Sequence, residues 1–178
     1  NAGGTLKVVP CNTEDFQIDR ELFEQAITPG TKAVILNSPN NPSGVVLSEA
    51  TVKGICEVME KKQAEYGHAI YLITDEPYDD NIQVPYLMNY YKNTLVCYSF
   101  SKSLSLPGER IGYIAVCEEM EEWEDMYAAI CGAGRSMGYV CAPSLFQRVA
   151  AECLGKTADI SIYKKNRDLL YNGLTASG

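Results

Sequence analysis

Five short runs of uniformly apolar residues divide the chain, and each is followed by turn-forming or polar residues. They predict β-strands at residues 6–9, 32–36, 69–74, 95–98 and 111–116. Apolar and polar residues do not alternate within these runs, which indicates strands buried on both faces of a sheet. Such strands are typical of parallel sheets covered by helices.

Between and after these runs, apolar residues recur at helical spacing. They predict helices at residues 20–27, from Ser48 to about Tyr66, 119–133, 144–154 and 158–174. Asp19 and Ser48 are the kinds of residue that cap helix N-termini, and Gly67 is expected to end the second helix. The order of elements predicts an α/β fold: a three-layer α/β/α arrangement with a mostly parallel sheet.

Polar side chains stand at the ends of three of the predicted strands. Asn41 follows the second strand, Asp75 follows the third, and the segment 99–102 follows the fourth. Ligands of open α/β sheets bind beyond the carboxyl ends of the strands. We therefore expect these side chains to meet at one ligand site.

Composition narrows the classes of partner. The chain has 178 residues and a net charge of −8, which argues against nucleic acid as a partner. Its apolar runs fall short of the roughly 18 residues that a membrane helix needs, so no membrane partner is expected. Seven cysteines without a C-x-x-C pair, and one histidine, fit no usual zinc spacing and suggest reduced thiols in a cytoplasmic protein.

A buried carboxylate at a strand end needs a positive partner, which raises the question of what Asp75 meets. A protonated ring nitrogen of a cofactor would be a suitable positive partner for the Asp75 carboxylate. The amine of Lys102 can form a Schiff base with an aldehyde on the same ring. The two residues together suit a flat, anionic heterocycle.

The remaining polar residues suit the substituents of such a ring. Tyr78 and Asn41 could hydrogen-bond a ring oxygen. Ser99, Ser101 and Arg110 could hold a phosphate, the arginine through two parallel hydrogen bonds. Taken alone, Arg110 would more often form a structural salt bridge with a nearby glutamate.

Four blocks of sequence carry a family resemblance: NSPNNPSG at 37–44, DEPY at 75–78, SFSK at 99–102 and RIGY at 110–113. With these blocks the chain resembles the class I/II aminotransferases of pyridoxal-phosphate fold type I, the aspartate aminotransferase superfamily. The resemblance covers essentially the whole chain and implies the cofactor pyridoxal 5'-phosphate.

The resemblance implies catalytic roles for Lys102, Asp75 and Tyr78. Lys102 would form the Schiff base with the cofactor and carry the proton during transamination. Asp75 would pair with the pyridinium nitrogen, and Tyr78 with Asn41 would contact the ring oxygen. The substrates would be an amino acid and a 2-oxo acid, and the full-length protein would be a homodimer of amino-acid metabolism.

The resemblance also implies that residues 1–178 are a partial large domain that binds the cofactor. The N-terminal segment and the C-terminal small domain of the family would be absent, and the fragment alone would be inactive. The last four strands should be neighbours, with the last antiparallel, and the first strand should lack its usual neighbour.

Alternatives remain open at this point. The same cofactor contacts would serve a C–S lyase, another pyridoxal-phosphate enzyme, or a non-catalytic regulator that binds the cofactor. Ser99 and Lys102 also match the S-x-x-K pattern of serine acyl-enzymes, although the partner motifs S-D-N and K-T-G do not occur. Arg135 could bind a distal carboxylate of the substrate across a dimer.

Overall fold

The computed structural model describes residues 3–75, 84–156 and 158–177. Its sheet consists of β1 (Ala33–Asn37), β2 (Tyr71–Asp75), β3 (Thr94–Ser99) and β4 (Gly112–Val116), in that spatial order. β1, β2 and β3 pair in parallel, and β4 pairs antiparallel with β3. The α/β class, the mostly parallel sheet and the expected order of the last four strands are therefore confirmed.

The helices of the described residues match five predicted segments and add one short turn. They are α1 (Arg20–Ala26), α2 (Glu49–Tyr66), α3 (Phe100–Ser103), α4 (Trp123–Ser136), α5 (Ser144–Glu152) and α6 (Ser161–Ser177). Short 3-10 turns lie at Leu87–Asn89 and Pro107–Glu109.

The predicted caps of the first two helices are present. The Asp19 carboxylate accepts a hydrogen bond from the Leu22 amide, and the Ser48 hydroxyl accepts one from the Thr51 amide. Each contact satisfies an amide that has no partner inside its helix. Gly67 ends α2 at φ 68°, a backbone angle that glycine adopts without steric cost.

The core lies between one face of the sheet and the helices α1 and α2. It is built from apolar side chains of both layers: Phe23, Ile27, Leu36, Val52, Ile55, Met59, Ile70, Leu72, Leu87 and Tyr91. The opposite face is open over part of its area, since Ile35 is 67% exposed and Ile114 is 48% exposed. A helical layer on that second face stays a prediction.

The prediction of a strand at residues 6–9 is wrong. Leu6 and Val8 are 81% and 77% exposed, and the nearest pairing is an isolated antiparallel bridge between Cys11 and Ile18. An apolar run becomes a strand only where a neighbour supplies ladder hydrogen bonds. Residues 6–9 lie beside no strand of the described chain.

Two predicted helix starts also differ from the structure. α4 begins at Trp123 rather than at residue 119, because Glu122 adopts a left-handed conformation with φ 56° and interrupts helical geometry. α6 begins at Ser161 rather than at residue 158. At this start the Asp159 carboxylate accepts a hydrogen bond from the Ser161 amide. A backbone conformation therefore marks the start of α4, and a side-chain hydrogen bond marks the start of α6.

Candidate functional site

Three polar side chains occupy neighbouring positions at the carboxyl edge of the parallel strands. In the ladder Asn37 lies opposite Asp75, and Asp75 lies opposite Cys97. Residues paired in register share one face of a sheet, so these side chains form a row. Ser99 lies two residues beyond Cys97 in β3. Since side chains alternate along a strand, Ser99 is on the same face of the sheet.

The expectation of a buried carboxylate is wrong, since Asp75 is the last residue of β2 and is exposed. Within the described residues it meets an amide and no cation. The Asn37 side-chain amide donates a hydrogen bond to Asp75 Oδ2 at 3.2 Å. Burial and then the negative charge of Asp75 raise the pKa of the Cys97 thiol, as expected for neighbouring groups. No lysine or arginine in the part of the chain that the structure describes forms an ion pair with Asp75.

The loop that follows β1 presents Asn41 at the same edge. The Asn41 backbone amide donates to Asn37 Oδ1 at 3.0 Å, so Asn37 contacts both Asp75 and the loop. Ser38 is buried, and its hydroxyl accepts a hydrogen bond from the Leu47 amide at 3.0 Å. This contact joins the start of the loop to the residues that follow it. The Asn41 side chain itself is exposed.

β3 runs directly into the short helix that carries Lys102. The Ser99 hydroxyl accepts a hydrogen bond from the Ser101 amide at 3.2 Å and donates to the Ser101 hydroxyl at 2.7 Å. Lys102 is exposed, and its ammonium has no hydrogen bond or ion pair with any residue that the structure describes.

Arg110 comes to the same edge from the antiparallel strand. β4 starts two residues later at Gly112, which lies opposite Ser99 in the ladder. The Arg110 backbone is left-handed with φ 53°, and its guanidinium donates to the Pro107 carbonyl at 3.0 Å. It forms no salt bridge with the nearby Glu109 or another acidic residue in the described ranges.

The geometry gives no support to a serine acyl-enzyme. α3 is a single turn of four residues, and the Ser99 hydroxyl is engaged by Ser101. Lys102 does not hydrogen-bond Ser99, whereas S-x-x-K chemistry requires the lysine to activate the serine.

Two predicted site residues are not placed at this edge. Tyr78 lies outside the described residues. Arg135 is in the last turn of α4 and is exposed, and nothing in its surroundings tests a role in substrate binding. In residues 3–75, 84–156 and 158–177 no group of three or more histidine, cysteine, aspartate or glutamate side chains could hold a metal ion. No helix in those ranges is long and apolar enough to cross a membrane.

Comparison with known families decides the assignment. The model of the family described as aminotransferase class I and II matches residues 1–178. The chain belongs to this family. An aspartate/prephenate aminotransferase from Thermus thermophilus is 31% identical to it over 99% of the chain and 46% of that relative.

Solved structures of aminotransferases share the fold of this chain. An amino transferase from Eubacterium rectale has 57% sequence identity and a TM-score of 0.90, over 96% of this chain and 44% of its own. Aspartate aminotransferase from Thermotoga maritima has 28% identity and a TM-score of 0.80, over 99% of this chain and 46% of its own. The chain thus spans less than half the length of these relatives.

The side chains of this aminotransferase chain fit the family's cofactor, pyridoxal phosphate. Asp75 offers an anion without a cation partner, and Lys102 and Arg110 offer cations without anionic partners, within the described residues. A ring with a basic nitrogen, an aldehyde and a phosphate would complement all three groups.

Asn37 is a residue of this edge that the sequence did not single out. It stands first in the NSPNNPSG block and last in β1, and its side chain joins Asp75 to the backbone of Asn41. The block itself was visible in the sequence. The contact with Asp75 depends on the register between β1 and β2, which only the structure shows.

Proposed function

We propose that this chain is part of a pyridoxal-phosphate-dependent aminotransferase that moves an amino group between an amino acid and a 2-oxo acid. One observation carries the proposal. Asp75, Lys102 and Arg110 stand at one edge of the sheet, and none of them has an ion-pair partner in the described chain. Ligands of α/β sheets bind at this edge, and a ligand that carries opposite charges would complement all three groups.

Asp75 and Lys102 would carry the chemistry. Bound pyridoxal phosphate supplies an electron sink for negative charge that develops at the substrate Cα. The Asp75 carboxylate would keep the ring nitrogen protonated, with Asn37 orienting the carboxylate through the 3.2 Å hydrogen bond. The Lys102 amine would hold the cofactor covalently and then move the proton that transamination requires.

The other residues would fix the orientation of the ring. Asn41 and Tyr78 would contact the ring oxygen, and Arg110 with Ser99 and Ser101 would bind the phosphate. Among the described residues the Arg110 guanidinium makes one hydrogen bond, to the Pro107 carbonyl, which leaves donors for this role. A guanidinium can bind two phosphate oxygens at once.

The proposal includes a wider context for the chain. Residues 1–178 would supply part of the large domain of a longer enzyme, and they would not turn over substrate alone. The chain's coverage of less than half of its relatives supports this proposal. A cytoplasmic homodimer of amino-acid metabolism is the context we infer, and the seven unpaired cysteines suit a reducing compartment.

Spectroscopy on the full-length protein tests the function. We expect addition of pyridoxal phosphate to produce a visible absorbance band, and an amino-acid donor to convert the spectrum from the pyridoxal to the pyridoxamine form. A 2-oxo acid should reverse the change. Lys102→Ala should abolish the band, whereas the control Lys92→Ala should keep it, because Lys92 pairs with Glu119 on the surface.

Other outcomes would contradict the proposal in identifiable ways. Release of sulfide or ammonia without a pyridoxamine spectrum would indicate a lyase. A stable band that no amino acid alters would indicate a regulator that binds the cofactor. Absence of any band in the full-length protein would refute the cofactor assignment itself.

A further inference from the structure

Lys102 sits on a helix that is too short to fix its own orientation. α3 has four residues, Phe100–Ser103, which amount to one turn. A single helical turn fixes the backbone dihedrals of several residues but forms few hydrogen bonds, so it is not stable by itself. The direction in which Lys102 points therefore depends on contacts between this turn and its surroundings.

Contacts outside the helix hold both ends of the turn. At the start, the Phe100 amide donates to the Ile111 carbonyl at 3.1 Å. At the end, Ser103 is held twice: its hydroxyl accepts a hydrogen bond from the Tyr98 hydroxyl at 2.7 Å, and its carbonyl accepts one from the Ala158 amide at 2.9 Å. The residue next to Lys102 is thus fixed through its side chain and its backbone.

Tyr98 packs against two neighbouring aromatic rings. Its ring stacks on Tyr113 with centroids 5.0 Å apart and an interplanar angle of 19°. It also meets Phe100 edge-on at 5.3 Å. Aromatic pairs at these separations favour defined ring orientations. The packing of Tyr98 therefore favours the orientation in which its hydroxyl lies beside the Ser103 hydroxyl.

Tyr98 acts from the face of the sheet opposite to the candidate site. Asp75 lies opposite Cys97 in the ladder, and side chains alternate along β3, so Tyr98 points away from the face that carries Asp75. Direct contact between Tyr98 and a ligand at Asp75 is not expected. Any influence of its hydroxyl on the site must pass through Ser103 and the turn.

We propose that Tyr98 is a positioning residue, whose hydroxyl holds Ser103 and thereby orients Lys102 toward the cofactor. The proposal rests on the proposed function, because it needs Lys102 to react with pyridoxal phosphate. It identifies a residue outside the four blocks that carry the family resemblance.

The test compares variants of the full-length protein that remove one hydroxyl at a time. Tyr98→Phe keeps the stacked ring, Ser103→Ala removes the acceptor, and Ser103→Thr keeps a hydroxyl. Tyr90→Phe is the matched control, because it removes a tyrosine hydroxyl that donates to Glu49 at the start of α2. The measurements are the rate at which pyridoxal phosphate labels Lys102, trapped by borohydride, and the pH profile of the visible band.

We expect Tyr98→Phe and Ser103→Ala each to slow labelling of Lys102 by roughly fivefold, the factor for one hydrogen bond of ordinary strength. Both should displace the pH profile in the same direction, and the double variant should resemble either single variant, since both changes remove one interaction. Ser103→Thr and Tyr90→Phe should behave like the unmodified protein.

Each other result has a definite meaning. If Lys102 of the unmodified protein takes no label, the proposed function fails. If Lys102 is labelled normally and both single variants match the unmodified protein, only the positioning role fails. Additive effects in the double variant, or thermal destabilisation with an unchanged labelling rate and pH profile, would likewise overturn the positioning role.

Discussion

Gly112 is the position at which one added methyl group should do the most damage to the site edge. It opens β4 opposite Ser99, the last residue of β3. A Cβ at this position would overlap the Tyr98 carbonyl oxygen and lie 3.2 Å from Ser99 Cα and 3.3 Å from the Tyr98 carbonyl carbon. All three atoms belong to the backbone of β3, so no side-chain rotation can relieve the contact.

The kind of atom that the added methyl group would meet indicates how large the loss of stability should be. Overpacking at well-packed sites costs about 1–3 kcal/mol, and a clash with backbone should fall toward the upper end of that range. We therefore expect Gly112→Ala to lower the free energy of unfolding of the full-length protein by about 2–3 kcal/mol. The pairing of β3 with β4 must widen where Ser99 and Arg110 emerge, so the affinity for pyridoxal phosphate should fall as well.

Urea denaturation and cofactor titration measure the two effects. Gly132→Ala is the matched control, because Gly132 lies inside α4. Apart from the backbone of that helix, no atom of the described residues lies within 4 Å of an added Cβ. The same chemical change should stabilise the protein there by about 0.5–1 kcal/mol. If Gly112→Ala matched Gly132→Ala in stability and affinity, the reasoning about the β3–β4 contact would be refuted.

Three further predictions concern the core, its response to pH, and the site edge. Tyr91→Phe should cost about 1–3 kcal/mol in urea denaturation, since the buried Ile70 carbonyl would lose the hydroxyl that donates to it at 2.6 Å; a stability equal to the unmodified protein would contradict this role. Burial raises the pKa of the Cys56 thiol from 9.0 to about 11. As the pH rises, the thiol therefore loses its proton in the unfolded state before it does so in the folded state, and the free energy of unfolding should fall between pH 9 and 11. Cys56→Ala should flatten that decline, and an unchanged slope would show that other groups cause it. Asn37→Leu should weaken cofactor affinity by roughly fivefold in a binding titration, because Asp75 loses a hydrogen bond; unaltered affinity would show that Asn37 does not orient Asp75.

Local pattern was enough to predict most of the elements. The apolar runs at 32–36 and 95–98 differ by one residue at either end from β1 and β3. Asp19, Ser48 and Gly67 marked helix ends correctly, because capping involves residues that are close in sequence. The antiparallel placement of β4 came from the family resemblance and is confirmed.

What the sequence could not show depends on partners distant along the chain. The segment 6–9 has the composition of a strand, yet no strand lies beside it in the described residues. The link between Asn37 and Asp75 requires the register of two strands separated by α2. Local sequence pattern indicates neither the loss of the strand nor this hydrogen bond, because tertiary packing decides both.

The central claim is that Lys102 is the residue through which this protein holds pyridoxal phosphate. Reducing the full-length protein with borohydride after cofactor addition, followed by peptide mapping, tests this claim most directly. We expect the pyridoxyl label on Lys102, and we expect its yield to fall in Asp75→Ala. A label on any other lysine, or no label at all, would contradict the account.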